Sequence, residues 1–296
     1  MAVTAHTDQY DGNVANDRSG RASERRWLEA FLKRFYYAPL LAFWRAIEAR
    51  ALGDAPLPGP SLDIGGHDGA FAATWLGDRP PIDVGVDIQP VATLDTRRAY
   101  RTLMVGDAQA LPFEPASFQT VVCNSVIEHV DDDTAVVREF GRVLKPGGVL
   151  LFTTPSIYFH DLLDGAIRAR RRGDEAAAQR YMTRTDRRII HLHYRVVEEW
   201  IQMMADAGLK TVEHSYYLPP AAAAFWDRWD TRLDARILGR PLYSLIGSRK
   251  LRRVVPPGFW YKLFMPYLAG PYERALREQE NPGTIGASLY LRAIRQ

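Results

Sequence analysis

Apolar positions along the chain change their period several times. Trp27, Leu28, Phe31, Leu32 and Phe35 recur at helical spacing. Pro39 then breaks that helix or opens a second one, in which Leu40, Phe43, Trp44 and Ile47 form a stripe ending near Gly53. From Ser61 onward the pattern becomes a series of short apolar runs, the first four each closed by an amide or a glycine. Leu62 and Ile64 make the first, Ile82 to Ile88 the second, a run from Leu103 the third, Phe118 to Cys123 the fourth and Val149 to Thr154 the fifth. Helix-forming stretches separate them: Ala70 to Leu76, and Val136 to Leu144 with a stop at Lys145-Pro-Gly-Gly148. Short strands alternating with helices predict a parallel, doubly wound sheet.

Before this series, Met1 to Ala22 is polar and without periodicity, which predicts a disordered tail. Asp54 to Pro60, with three prolines, reads as a stiff linker into the first strand. At 296 residues the chain is expected to form one domain over 23–296, with helices at 23–53 and a core at 61–155. The single Cys123 excludes an intramolecular disulfide and a cysteine-rich metal site, and its apolar surroundings predict a small buried side chain. The opening residues lack the apolar run of a secretory signal, and no apolar stretch reaches the roughly 20 residues of a spanning helix, so a cytoplasmic location is the default expectation. Net charge is +3, distributed unevenly: residues 1–160 hold 15 basic and 20 acidic side chains, residues 161–296 hold 23 and 15. The basic half suits an anionic substrate or membrane surface, or is simply solvated helix faces.

Candidate chemistry gathers where the short strands end. Asp63-Ile-Gly-Gly-His-Asp-Gly69 reads as strand, tight turn and helix start, the place where open α/β sheets bind nucleotides. Its Gly-Gly-x-x-Gly spacing and its acid fit a ligand carrying an amine or cation better than a pyrophosphate. Asp87 lies 22 residues beyond Gly65, the interval at which a carboxylate accepts hydrogen bonds from a ribose diol. Asp107 ends the third run; an acid there can accept from an exocyclic adenine amine while the next backbone N–H donates to the ring.

Leu-Asp-Ile-Gly-Gly-His-Asp-Gly, Val-Asp-Ile, Gly-Asp-Ala-Gln-Ala-Leu-Pro-Phe, Val-Ile-Glu-His-Val and Arg-Val-Leu-Lys-Pro-Gly-Gly together resemble the motif series of class I S-adenosylmethionine-dependent methyltransferases, in the group acting on small molecules and lipids. The resemblance covers roughly Asp63 to Pro155. It implies a Rossmann-like seven-stranded sheet whose last strand is antiparallel, with Leu209 to Tyr216 as the sixth strand and Ala287 to Ile294 as the seventh. It implies S-adenosyl-L-methionine as cofactor. Asp63, Gly65 and Gly69 would hold its methionine end, Asp87 the ribose, Asp107 and Ala108 the adenine, with Asn124 beside the methionine moiety and Gly66, His67 and Ile88 also in the cofactor site. His67 departs from the usual glycine, in a residue type that tolerates positive φ. Gln119 replaces a usual Asp, at a place expected to concern packing.

Two insertions depart from the minimal fold: a basic helical one at 157–190, and an aromatic one at 218–286 with Phe225, Trp226, Trp229, Tyr243, Phe259, Trp260, Tyr261, Phe264, Tyr267 and Tyr272. At the carboxyl edge of the sheet they could cover the cleft as a substrate lid, form a helical subdomain or dimer interface, or meet a membrane peripherally. If the acceptor must lose a proton, His129, Glu128 and His193 are the candidate bases, with His191 and Tyr194 nearby. Neither His191-Leu-His193 nor Glu128-His129 supplies a metal set, so no metal is expected. The reading is a methyltransferase for a small-molecule or lipid-like acceptor. Its alternatives are a non-catalytic binding module with the same fold, and an NAD-dependent oxidoreductase. Nucleic acid is not expected as a partner. The oligomeric state is left open.

Overall fold

A computed structural model describes residues 18–233, 236–237, 240–241, 244, 246, 248, 251, 254–281 and 283–296. Of the tail expected over Met1 to Ala22, residues 1–17 lie outside the described residues, as does Tyr243, whereas residues 18–22 are not a disordered tail but the first turn of a helix that continues into the apolar stripe.

Seven strands form one sheet: β1 (Ser61–Ile64), β2 (Ile82–Asp87), β3 (Tyr100–Val105), β4 (Phe118–Asn124), β5 (Leu144–Pro155), β6 (Leu209–Tyr217) and β7 (Ser288–Arg295). Their spatial order is β3-β2-β1-β4-β5-β7-β6. The first five pair in parallel, and β7 lies antiparallel between β5 and β6. This is the expected Rossmann-like α/β sheet, its parallel part predicted by the pattern and its antiparallel last strand by the resemblance. The chain runs outward from β1 in both directions, so the carboxyl ends of β1, β2 and β4 flank one crevice. Nucleotides bind at this kind of topological switch point.

Side chains alternate between the two faces of the sheet, as a pleated strand requires. Val121, Cys123, Leu150, Phe152, Leu289 and Leu291 bury on one face under α5 (Asp133–Val143) and α8 (Val197–Asp206). Val122, Leu151 and Tyr290 bury on the other, against the two N-terminal helices and the insertions. Cys123 is fully buried, as its setting suggested. The Lys-Pro-Gly-Gly stop does end α5, but strand pairing resumes at once. Leu144 already faces Phe118, and a register shift before Thr120 and Val149 absorbs the extra residues. Gln119 donates from Nε2 to the Gly147 carbonyl at this bulge.

Helix α1 (Arg18–Arg34) buries Trp27, Leu28, Phe31 and Leu32. Pro39 opens α2 (Pro39–Leu52) at a position where its missing N–H costs nothing, and Gly53 ends it. The first insertion carries α6 (Asp164–Arg171) and α7 (Glu175–Ile189). The second carries α9 (Pro220–Leu233), a two-residue ribbon (Arg236–Ile237 with Arg240–Pro241) and α10 (Pro257–Gln279). Phe43 of α2 meets Phe225 of α9 at 5.3 Å and Tyr272 of α10 at 6.5 Å between ring centroids. The N-terminal helices and the late insertion thus pack as one layer over the sheet. Among the described residues no helix is long and apolar enough to cross a membrane.

Candidate functional site

The crevice holds a cavity of about 540 Å³. Asp63, Gly65, Gly66, His67, Asp87, Ile88, Asp107, Ala108 and Asn124 all line it. Gly69 does not; it begins α3 (Ala70–Leu76) at φ 70°. The turn glycines answer mainly to protein neighbours. A Cβ on Gly65 (φ 83°) would fall 2.1 Å from Val126, one on Gly66 2.7 Å from the Tyr100 hydroxyl, and one on Gly69 2.7 Å from the Thr96 backbone. The turn has to pass this close to keep its bonds from the Gly65 and Gly66 N–H groups to the Val86 carbonyl, at 2.8 and 3.2 Å.

His67 takes φ 35°, and its ring meets the Gln89 carbonyl at 3.3 Å in the loop after β2. Its backbone N–H donates to Asp87 Oδ2 at 3.0 Å, while Gln89 N–H donates to Oδ1 at 2.7 Å. The departure from glycine is therefore accommodated, and Asp87 is fixed at both oxygens with a lone pair of each left over.

Asp107 is clasped by Gln109, whose backbone N–H donates to Oδ1 at 2.8 Å and whose Nε2 lies 3.2 Å from the same oxygen. Gln109 Oε1 in turn accepts the Asp132 N–H at 3.0 Å, tying this loop to the start of α5. Asn124 accepts from the Thr153 hydroxyl at 2.8 Å. Asp63 is buried and accepts from the Tyr100 hydroxyl at 2.6 Å. Burial pushes its carboxyl up to about 7, against which the Tyr100 bond works only in part.

A second cavity of about 300 Å³ adjoins the first and shares Leu41, Arg45, Ser125 and His129 with it. Its aromatic walls come from three places in the chain: Trp44 of α2, Phe159 of the first insertion and Trp226 of α9. The Trp44 and Trp226 rings lie 4.7 Å apart at 64°. Part of the aromatic content read as a lid or a subdomain core thus lines a cleft.

The three base candidates separate here. His129 lines both cavities and Glu128 the smaller one. His193 lines neither: its Nε2 lies 2.7 Å from the Val130 carbonyl and its Nδ1 3.6 Å from Asp133. Asp133, already bidentate with Arg195, holds that imidazole at the start of α5. His191 lines the smaller cavity instead. Burial pushes Glu128 up to about 8, lowers His129, and with the neighbouring His129 and His160 takes His191 down to about 3.

Sequence reasoning passed over a buried polar cluster beneath the cavities. Arg45 pairs with Glu48 at 2.5 Å, and Glu48 is fully buried. The Ser125 and Tyr217 hydroxyls donate to the other Glu48 oxygen at 2.5 and 3.2 Å. One signal was available: an Arg and a Glu three apart inside an otherwise apolar helix stripe.

Fold and site define a Rossmann-like protein with Asp63, Asp87 and Asp107 lining one cavity and an aromatic chamber beside it. Residues 62–152 match the methyltransferase domain family model. A demethylmenaquinone methyltransferase of Roseiflexus castenholzii is 30% identical over 194 residues, covering 58% of this chain and 76% of that protein. A ubiquinone biosynthesis O-methyltransferase of Xanthomonas euvesicatoria is 38% identical over 101 residues, 31% of this chain and 41% of that one. A malonyl-[acyl-carrier protein] O-methyltransferase of Coxiella burnetii is 38% identical over 95 residues, 31% of this chain and 32% of that one. The chain spans less than half the length of the two O-methyltransferases. It belongs to the class I S-adenosylmethionine-dependent methyltransferases.

Proposed function

We propose that this protein transfers a methyl group from S-adenosyl-L-methionine to a small-molecule or lipid-like acceptor seated in the aromatic chamber. The observation that carries this reading is the junction of the two cavities at Leu41, Arg45, Ser125 and His129. A nucleoside-bearing donor on one side and an apolar acceptor on the other would meet there. The residues present fit the cofactor. Asp87 keeps lone pairs for two ribose hydroxyls, Asp107 and the Ala108 N–H suit an adenine edge, and Asp63 with Asn124 suits the methionine end. Bound there, the cofactor supplies a methyl group on a positively charged sulfonium.

The chain's own part is to hold the acceptor close and dry, which is where most of the rate of such a displacement comes from. Trp44, Phe159 and Trp226 exclude water. If the acceptor is a hydroxyl, the neutral ring of His129, which lines both cavities, has a lone pair with which to take its proton. The relatives named for quinone and acyl-carrier substrates support an apolar or lipid-linked acceptor. The exposed Phe259, Leu263 and Tyr267 of α10 suit a peripheral lipid contact, which sedimentation with vesicles tests. The direct experiment incubates the protein with labelled S-adenosylmethionine and quinol, phenol and acyl-thioester acceptors. Label transfer to one class supports the reading; adenosyl binding without transfer to any would leave the non-catalytic module.

A further inference from the structure

The geometry points to a binding site for a divalent first-row transition ion formed by Glu128, His129 and His191 in the wall of the smaller cavity. One ligand atom of each residue lies within 4.8 Å of the other two. Of the two pairs that separately made no metal set, Glu128-His129 contributes both members and His191-Leu-His193 one, brought together because the segment before α8 folds back over the short 3-10 helix Ile127–His129. The Leu192 N–H donates to the Glu128 carbonyl at 2.7 Å, which pins that contact.

Outer hydrogen bonds set both imidazoles in the form a metal requires. His129 Nδ1 lies 2.8 Å from the Ile190 carbonyl, which can only accept, so Nδ1 carries the hydrogen and Nε2 its lone pair. That Nε2 lies 4.0 Å from Glu128 Oε1. His191 Nδ1 lies 3.0 Å from the Tyr194 hydroxyl, whose one hydrogen goes to Asp186 Oδ1 at 2.7 Å. Nδ1 must therefore donate, leaving Nε2 of His191 free as well. Metal-bound histidines are held in this way, with the far nitrogen donating to a carbonyl or to a chain ending in a carboxylate.

Glu128 supplies the second, independent observation. It is 1% exposed, and its Oε2 is buried without a hydrogen-bond partner. A buried carboxylate oxygen left unpaired is costly and calls for a proton or a cation. The nearby cation, Arg45, is engaged by Glu48 at 2.5 Å.

Two imidazole nitrogens and one carboxylate favour zinc, iron(II) or cobalt(II) over magnesium or calcium. At metal–ligand distances of about 2.0–2.2 Å the donors of such a site stand roughly 3–3.5 Å apart, so the three side chains close by about 1 Å on binding. Three protein ligands leave coordination positions open. Resting on the methyltransferase reading, those positions would take an acceptor oxygen beside the junction of the cavities.

The test uses the full chain, stripped with a chelator, dialysed and titrated with Zn²⁺ and Co²⁺, with bound ion counted by mass spectrometry after gel filtration. One ion per chain is expected, together with the visible absorption of Co²⁺ on nitrogen ligands. Glu128→Gln and His191→Ala should each weaken binding at least 100-fold, and Tyr194→Phe by about 10-fold through the orientation of His191. His193→Ala should bind as the wild type does, and since it removes an imidazole that lines neither cavity it also checks that loss elsewhere is specific. Melting and adenosyl binding of each variant report whether it is folded. No stoichiometric ion in the wild type overturns the inference, as does unchanged binding in folded His191→Ala. Adenosyl binding retained throughout would show that the methyltransferase reading had not failed with it.

Discussion

Asp63 shows how one buried carboxyl couples the cradle to pH. Its pKa in the folded protein is about 7, against 3.8 in an exposed setting. Between those values the folded state holds a proton that the unfolded chain has released. Stability contributed by that proton is present below about pH 4 and is lost as pH rises through 7. The shift corresponds to as much as about 4 kcal/mol. Urea denaturation of the wild type and of Asp63→Asn, which keeps an acceptor for Tyr100, should show the difference moving in favour of the variant from pH 4 to 8. Parallel pH dependences would contradict the assignment. His67 carries a related lesson. Its unusual place in the turn was visible in the sequence, but the reason it fits was not, because that reason is an Asp87 oxygen 20 positions away.

Helix α2 does two jobs, and each predicts a different phenotype. Its inner charge Glu48 neutralises Arg45 inside the layer formed with β6 and α9. Replacing Glu48 with Ala leaves that guanidinium without its partner and should cost about 3–5 kcal/mol in chemical denaturation. A loss below about 1 kcal/mol would mean that the cluster relaxes freely. Its Trp44, with Trp226 of α9, walls the aromatic chamber. Trp226→Ala should raise the acceptor KM by 10-fold or more while leaving adenosyl affinity within about 2-fold, since Trp226 lines only the smaller cavity. Equal loss of both affinities would contradict two separate chambers. The strands that present Asp63, Asp87, Asp107 and Asn124 were readable because each site residue lies within or just beyond a short apolar run. Arg45, Glu48 and Tyr217 were not readable as a unit: Tyr217 reaches Glu48 across 169 residues, and only the packing of β6 behind α2 joins them.

Across the molecule, the alternating pattern specified the parallel half of the sheet, and the resemblance supplied the antiparallel β7. What neither could supply is how the insertions return to the cleft. The choice between His191 and His193, two residues apart in an irregular segment, depends on which ring Asp133 captures and which one Tyr194 orients. The uneven charge does not decide the acceptor, since Arg168, Arg170, Arg188 and Arg228 pair with acids on the insertions themselves. The central claim is that the larger cavity holds an adenosyl cofactor through Asp87. Calorimetric titration with S-adenosylmethionine and S-adenosylhomocysteine, for wild type and for Asp87→Ala, tests it most directly. One site per chain is expected, with affinity reduced at least 30-fold in the variant, a loss of about 2 kcal/mol from two ribose hydrogen bonds. No adenosyl binding by the folded wild type, or equal binding by Asp87→Ala, would contradict the account.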